Sequence, residues 1–316
     1  MPGMRVVVCP GSIGPLSSPV AADALAAGWR QEDVLLRPSG EAGGGFVVAM
    51  AARLGVEATT DVLDGRLVVA AEAHGQLAVA VPGETARGPI PVDSSSAPLG
   101  SAVRRLVARY RPERVWVDLV SDDVHDGGAG FRAAVGTDLD GVDLIGVVPD
   151  SERRQLLLGL RGITSLRGRA NREDPALMLA VDATLAELAE SWAAIDQPGA
   201  GACGGVGLAV LALGGRLATG PEVTLAGVTG PVDLVVTGCT SYDFASRGGG
   251  VVSAAARLAT ELLCPCVVVA GEVLIGGREM RTMGIEAAYG LASGLGDVTD
   301  AGLRALAERV GRSWRW

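Results

Sequence analysis

Arg5-Val6-Val7-Val8-Cys9-Pro10-Gly11-Ser12 is a short apolar run halted by Pro-Gly, and a helical pattern follows from Pro19 to Arg30. A strand apolar throughout, ending in a glycine turn, suits a parallel sheet covered on both faces. The pattern recurs at Val34–Leu36, followed by Gly40–Gly45 and a helix through Ala52. Near the other end, Asp233–Thr237, Cys266–Ala270 and Ile285–Ala292 read as strands. Helical patterns at Val251–Leu262, Arg278–Met283 and Thr299–Arg309 accompany them. This rhythm at both ends predicts a doubly wound α/β sheet built from both termini.

Between the ends the rhythm changes. Arg66–Ala70 and Gln76–Val81 alternate in character and meet through Glu72-Ala73-His74-Gly75, which predicts a β-hairpin. A helix is expected over Leu99–Tyr110, after a capping region at Ser94–Pro98. Arg114–Val120 reads as a buried strand running into an acidic, glycine-rich turn. Residues 150–197 are helical and Arg-rich, with a long amphipathic stretch at Pro175–Ile195. Arg5–Cys9, Arg114–Val120 and Asp233–Thr237 are expected as parallel strands of one sheet. That assigns residues 1–58, 94–132 and 228–316 to a discontinuous parallel-sheet domain, and 59–93 and 133–227 to an inserted α/β domain.

A chain of 316 residues suits two domains, and 48% hydrophobic residues exclude disorder. A net charge of −9 with no basic stripe argues against a nucleic-acid partner. The chain has no lysine, so all 27 of its basic residues are arginine. Any chemistry needing an ammonium on a flexible stem is therefore closed to it, because arginine does not replace lysine freely. Five cysteines, with no signal peptide discerned, point to a reducing, cytoplasmic setting. Cys264-Pro-Cys266 is too tight for a zinc knuckle and reads as core, so no metal site is assigned. No apolar run is long and charge-free enough for a bilayer.

Glycine turns at 10–14, 40–45, 126–130, 199–207 and 238–250 would gather where an open α/β sheet binds ligands. Gly199, Gly201 and Gly204 have Gly-x-Gly-x-x-Gly spacing, but no strand clearly precedes them, so a dinucleotide fingerprint is not assigned. A Walker motif is impossible without lysine, and no nucleophile elbow occurs. Asp118, Asp122, Asp123, His125 and Asp126 form the densest polar group, of a kind that can hold Mg²⁺ or act as a base. Asp243 lies in a Gly- and Ser-rich loop after a strand, a usual place for function.

These turns, in this order, resemble those of the bacterial type-I glycerate kinases nearly end to end. Cys9-Pro10-Gly11-Ser12 falls where the family has Ala-Pro-Asp-Ser-Phe-Lys-Gly-Ser. His125-Asp126-Gly127-Gly128-Ala129-Gly130 matches its Asn-Asp-Gly-Gly-Ala-Gly. Pro198–Gly207 is almost its Pro-Gly-Ala-Gly-Ala-Ala-Gly-Gly-Leu-Gly, and Asp233–Gly238 matches Asp-Leu-Val-Ile-Thr-Gly. The resemblance implies a flavodoxin-like domain with a second α/β domain, ATP with Mg²⁺, and phosphoryl transfer to D-glycerate or a related hydroxy acid. It implies Asp126 and Asp243 as catalytic residues, and Ser12, Gly127, Gly128, Gly201, Gly204, Gly205 and Gly238 as cofactor-binding ones. It also implies that Ser12, Asp126, Gly128, Gly238 and Asp243 share an interdomain groove.

The departures fall on charge. Gly11 stands for the family's Asp, and the Lys after it has no counterpart. In the second motif Glu41 replaces Asp, Gly44 replaces Glu and Phe46 replaces Thr; after the late strand, Cys239 replaces Glu and Ser241 replaces Arg. Arg161, Arg167, Arg169 and Arg172 are available as replacement charge or as a solvated basic face. Phosphoryl transfer depends on positioned charge. The expectation is therefore a degenerate relative that binds a small anion, such as a small-molecule acid, a nucleotide or a protein partner in the interdomain cleft. The alternatives are an active kinase using Asp126 and Asp243, or a structural subunit of an oligomer.

Overall fold

Val6, Val7 and Val8 are wholly shielded from solvent because the strand that holds them is flanked by two others and covered on both faces. In the computed structural model, which describes residues 3–83, 88–136, 138–291 and 298–314, the strands in chain order are as follows. They are β1 (Arg5–Val8), β2 (Asp33–Leu36), β3 (Thr59–Leu63), β4 (Arg66–Ala73), β5 (Gln76–Ala80), β6 (Arg114–Asp118), β7 (Asp143–Val148), β8 (Arg216–Thr219), β9 (Leu234–Asp243), β10 (Cys266–Leu274) and β11 (Ala287–Gly290). Ala292, where the last predicted strand ends, lies outside the described residues.

The chain divides into two units, Met1–Arg53 with Gly220–Trp316, and Leu54–Thr219. The first unit holds a parallel sheet of order β11-β10-β9-β1-β2. Renumbered within the unit, this is the 2-1-3-4-5 order of flavodoxin-like sheets, with its topological switch point between β1 and β9. Val6, Val8, Leu234, Val236, Val267 and Val269 pack towards helices Ser18–Ala26 and Asp300–Ser313. Val7, Cys9, Val235, Val268 and Ala270 pack towards Gly249–Glu261 on the other face. The apolar-throughout pattern thus reflects burial on both sides, as expected from sequence.

The second unit holds a sheet of order β3-β4-β5-β6-β7-β8, antiparallel through β3, β4 and β5 and parallel from β5 to β8. The expected hairpin is β4–β5, turning on His74 and Gly75 with φ of 53° and 70°. A further hairpin, β3–β4, turns on Asp64-Gly65 with φ of 52° and 76°. Asp-Gly is a strong hairpin signal. The sequence does not reveal the strand before it, because β3 is almost entirely exposed and shows no apolar alternation.

One expectation is corrected. β6 pairs with β5 and β7 in the second sheet, so Arg114–Val120 does not share a sheet with Arg5–Cys9 and Asp233–Thr237. The segment 94–132 accordingly belongs to the inserted unit, which runs unbroken from Leu54 to Thr219 instead of comprising 59–93 and 133–227. Helix Ala97–Tyr110 supplies the crossover that returns the chain beside β5. Consecutive elements tend to pair. A short apolar strand ending in a glycine turn fits either sheet, so its pattern alone could not choose. The sequence pattern does not single out β7 or β8. No helix among the described residues is long and apolar enough to cross a membrane.

The first unit depends on a close backbone approach between helix Asp300–Ser313 and the turn at Gly28. A Cβ on Gly311 would lie 2.1 Å from the Gly28 carbonyl oxygen. Gly311→Ala should therefore lower stability by about 1–3 kcal/mol, the usual cost of overpacking. It should be read as a lower urea midpoint with an unchanged slope; an unaltered midpoint would show that the helix is not seated there.

Candidate functional site

At the switch point of the first sheet, the turn after β1 is tied to β9. The Gly11 N–H donates to the Gly238 carbonyl at 2.9 Å, and the Gly14 N–H to Thr240 Oγ1 at 2.9 Å. The Thr240 hydroxyl reaches the Ser12 carbonyl at 3.4 Å. Ser12 and Gly238 are thus brought together, with Ser12 exposed. Gly238 is required by packing, since a Cβ there would lie 2.5 Å from the Val269 carbonyl of β10.

Asp243 ends β9, and its carboxylate is spent on its own loop. It accepts from the N–H of Ala245 and Ser246 at 2.7 Å each, from Ser246 Oγ at 2.8 Å and from Ser241 Oγ at 3.3 Å. The Ser246 N–H, then its hydroxyl, hold this carboxyl below the usual range. Cys239 is buried, with its thiol pushed up to about 12 chiefly by burial, so it carries no charge at neutral pH. Glu41 Oε1 accepts from the N–H of Gly250 at 2.6 Å, at the start of helix Gly249–Glu261. The chain's own carboxylate therefore lies where that helix would attract an anion.

The remaining candidates belong to the second unit. Asp126 precedes helix Ala129–Val135 and accepts four hydrogen bonds. Oδ2 takes Ser96 N–H at 2.7 Å, Ser96 Oγ at 2.8 Å and Gly130 N–H at 3.0 Å; Oδ1 takes Gly128 N–H at 2.9 Å. Ser96 Oγ in turn accepts from the Phe131 N–H at 2.8 Å. The predicted cap region at Ser94–Pro98 thus joins one helix start to another instead of capping its own helix.

The glycine turns around Asp126 and at 199–207 pack backbone to backbone. The Gly127 N–H donates to the Gly204 carbonyl at 3.1 Å. A Cβ on Gly204 would lie 2.0 Å from the Val124 carbonyl, one on Gly205 2.5 Å from Gly127 Cα, and one on Gly128 2.6 Å from Ala209 Cβ. Gly201 faces Leu156, whose carbonyl oxygen would lie 2.2 Å from a Cβ there. Amides of the 199–207 turn are largely consumed. Gly199 and Gly201 donate to Gln155 O, Ala202 to Gly199 O, Gly205 to Gly201 O, and Cys203 to Glu152 Oε2 at 2.7 Å.

Ionic groups nearby are similarly engaged. Arg167 grips Asp123 with two bonds, Nη1 to Oδ1 at 2.8 Å and Nη2 to Oδ2 at 2.5 Å, and its Nε reaches the carbonyls of Gly88 and Pro89. Arg66 pairs with Asp122, and Arg169 bonds the carbonyls of Ser165 and Leu160. His125 is buried, its Nε2 3.0 Å from Thr164 Oγ1. Burial, then the positive charge of Arg167, lowers its pKa to about 4 against the opposing pull of Asp123 and Asp126. Among the described residues no three His, Cys, Asp or Glu side chains gather in a metal-holding group.

Sequence reasoning thus finds the turns but misses Ser96, Thr164 and Glu152. Their partners lie 30 to 51 positions away in sequence, and no local motif marks them.

The model of the glycerate kinase family matches residues 145–314. Uncharacterized proteins of Mycobacterium bovis and Mycobacterium tuberculosis are each 30% identical over 334 residues, covering 94% of this chain and 87% of theirs. The crystal structure of "putative glycerate kinase 2" from Salmonella typhimurium LT2 superposes with a TM-score of 0.77 over 98% of both chains, at 20% identity. That likeness is one of fold.

Two expected outcomes follow from the second unit. Asp126→Asn turns an amide NH₂ towards the N–H donors that hold the carboxylate, so it should cost about 1–3 kcal/mol of stability in urea unfolding. An unchanged midpoint would remove Asp126 from its structural role. For His125 the folded pKa, about 4, lies below the ordinary 6.5. Its neutral form is favoured by folding, so stability is complete above pH 6.5 and falls as pH drops from 6.5 through 4. His125→Asn should flatten the decline of unfolding midpoint across that window; an identical profile in both proteins would contradict this.

Proposed function

The chain belongs to the glycerate kinase family, and from that premise we propose that it is a member that no longer transfers phosphoryl groups at kinase rates. In this reading it binds a small-molecule acid or nucleotide. The observation that carries this is the engagement of Asp126 and Asp243 by the chain's own donors. Each carboxylate accepts four hydrogen bonds from nearby backbone and serine donors. A general base or a metal ligand needs a lone pair free; each Asp243 oxygen carries two donors, while Asp126 carries three on Oδ2 and one on Oδ1. A base held below its usual pKa is weaker still, which is the situation of Asp243.

ATP and Mg²⁺ are the cofactors the family implies, and the donor set does not fit them well. Glu152 and Glu41 place carboxylates on the Cys203 and Gly250 amides, where phosphate oxygens would otherwise be received. Gly11, Gly44 and Cys239 provide no charge where the resemblance calls for carboxylates, and Arg167 is bound to Asp123. Phosphoryl transfer gains nearly all its rate from such charge. Retention of Asp126 and Asp243 favours the second reading, an ATP-dependent kinase of D-glycerate or a related hydroxy acid.

A coupled assay with ATP, Mg²⁺ and D-glycerate separates them. Turnover should stay far below the usual kinase range of about 1–100 s⁻¹. Turnover within that range, lost in Asp243→Asn while the fold persists, would establish the kinase reading and end this one.

A further inference from the structure

Three leucines of the second unit face solvent at one spot. Leu160 is 82% exposed, Leu179 72% and Leu166 43%. Single exposed leucines are ordinary, whereas a group of them marks a contact surface. Two sets of hydrogen bonds bring these three together. Arg169, three positions after Leu166 on helix Ile163–Asn171, donates from Nη2 to the Leu160 carbonyl at 2.9 Å. Asp182, three positions after Leu179 on helix Pro175–Ser191, accepts from the N–H of Gly159 at 3.2 and 3.3 Å. Residues three apart share one face of a helix, so Leu166 and Leu179 flank the loop that carries Leu160.

Helix Pro175–Ser191 is apolar over most of its surface, yet only Leu185 and Ala189 in it are buried. Ala176, Leu179, Ala180, Ala183 and Glu187 recur at helical spacing and are all exposed. An apolar stripe of this kind normally faces a packing partner.

Charge identifies the occupant. From Arg161 to Arg172 the chain carries Arg161, Arg167, Arg169 and Arg172 and no acid. From Glu173 to Ser191 it carries Glu173, Asp174, Asp182, Glu187 and Glu190 and no base. Arg161, Arg172, Glu187 and Glu190 are exposed and, among the described residues, form no ion pair. One surface thus offers an apolar centre with both signs of charge around it. A two-fold contact uses that arrangement, because each patch then meets itself and every basic group meets the other copy's acidic one. With the two-fold axis between Leu179 and Ala180 and the helices antiparallel, Glu187 falls opposite Arg172 of the partner subunit, and the reverse pair forms by symmetry.

We propose that helix Pro175–Ser191, with Leu160 and Leu166 beside it, is the contact between two copies of this chain in a two-fold dimer. The contact does not rest on the kinase question, and turnover in the coupled assay would leave it standing.

The test is sedimentation velocity of the full chain over a concentration series. Wild type should sediment as a dimer that dissociates on dilution. Leu179→Asp, at a position open to solvent, should weaken self-association at least about tenfold, the scale of losing a central apolar anchor. Glu187→Arg and Arg172→Glu should each weaken it, since like charges would then face each other across the axis. The double variant carrying both reversals should recover most of the loss, which a merely structural role would not produce. Should Leu179→Asp not fold, the two reversals and their combination carry the test. Wild type that is monomeric at every concentration overturns the proposal and leaves this face to a different protein. A dimer that persists unchanged in the folded variants, or a double variant no better than either single one, overturns it as well.

Discussion

Parallel pairing of β1 with β9 is the constraint from which the rest of the first unit follows. It aligns Val6, Val7 and Val8 with Leu234, Val235 and Val236, and the adjoining hydrogen bond from Arg5 to Asp233 spans 228 positions. Closing so long a loop costs chain entropy that grows only slowly with length. An insertion of the size of Leu54–Thr219 is therefore tolerable, because it folds around its own sheet. The same pairing creates the switch point, where the crossovers after β1 and β9 run to opposite faces of the sheet and the turns separate at the strands' carboxyl ends. Ser12, Gly238 and the tail of β9 owe their positions to it.

A common principle governs the polar groups at both sets of turns. Where the chain bends sharply, backbone N–H groups lose their partners in helix or sheet, and a buried N–H must find another. Here carboxylates serve: Asp126 for the starts of two helices, Asp243 for the loop after β9, Glu41 for Gly250 and Glu152 for Cys203. Each such bond is charge-assisted and stronger than a neutral one. An acid that stabilises a loop in this way is poorly placed to exchange protons or ligate an ion. The glycines follow a related logic, since Gly127, Gly128, Gly204 and Gly205 allow two turns to touch through their backbones.

Arginine takes over every cationic duty in a chain without lysine. Its planar fork suits bidentate grips such as Arg167 on Asp123, and contacts to carbonyls such as Arg53 on Thr224 and Ala226. Such a group is hard to redirect towards a transferring phosphoryl group once its donors are committed.

The residue pattern alone determined the α/β class, the strands built from Val6–Val8 and Leu234–Val236, the β4–β5 hairpin and the glycine turns, because each rests on local periodicity or on a turn's backbone needs. It determined family membership too, through the order of turns along the chain. Tertiary structure decided which sheet receives β6, since a buried apolar strand carries no mark of its partner. It also decided which donors the carboxylates meet. Asp126 reads the same in sequence whether its oxygens face a substrate or Ser96, which lies 30 positions away. Hydrogen-bond partners brought together by folding, not the identity of the acid, determine whether a lone pair remains for chemistry.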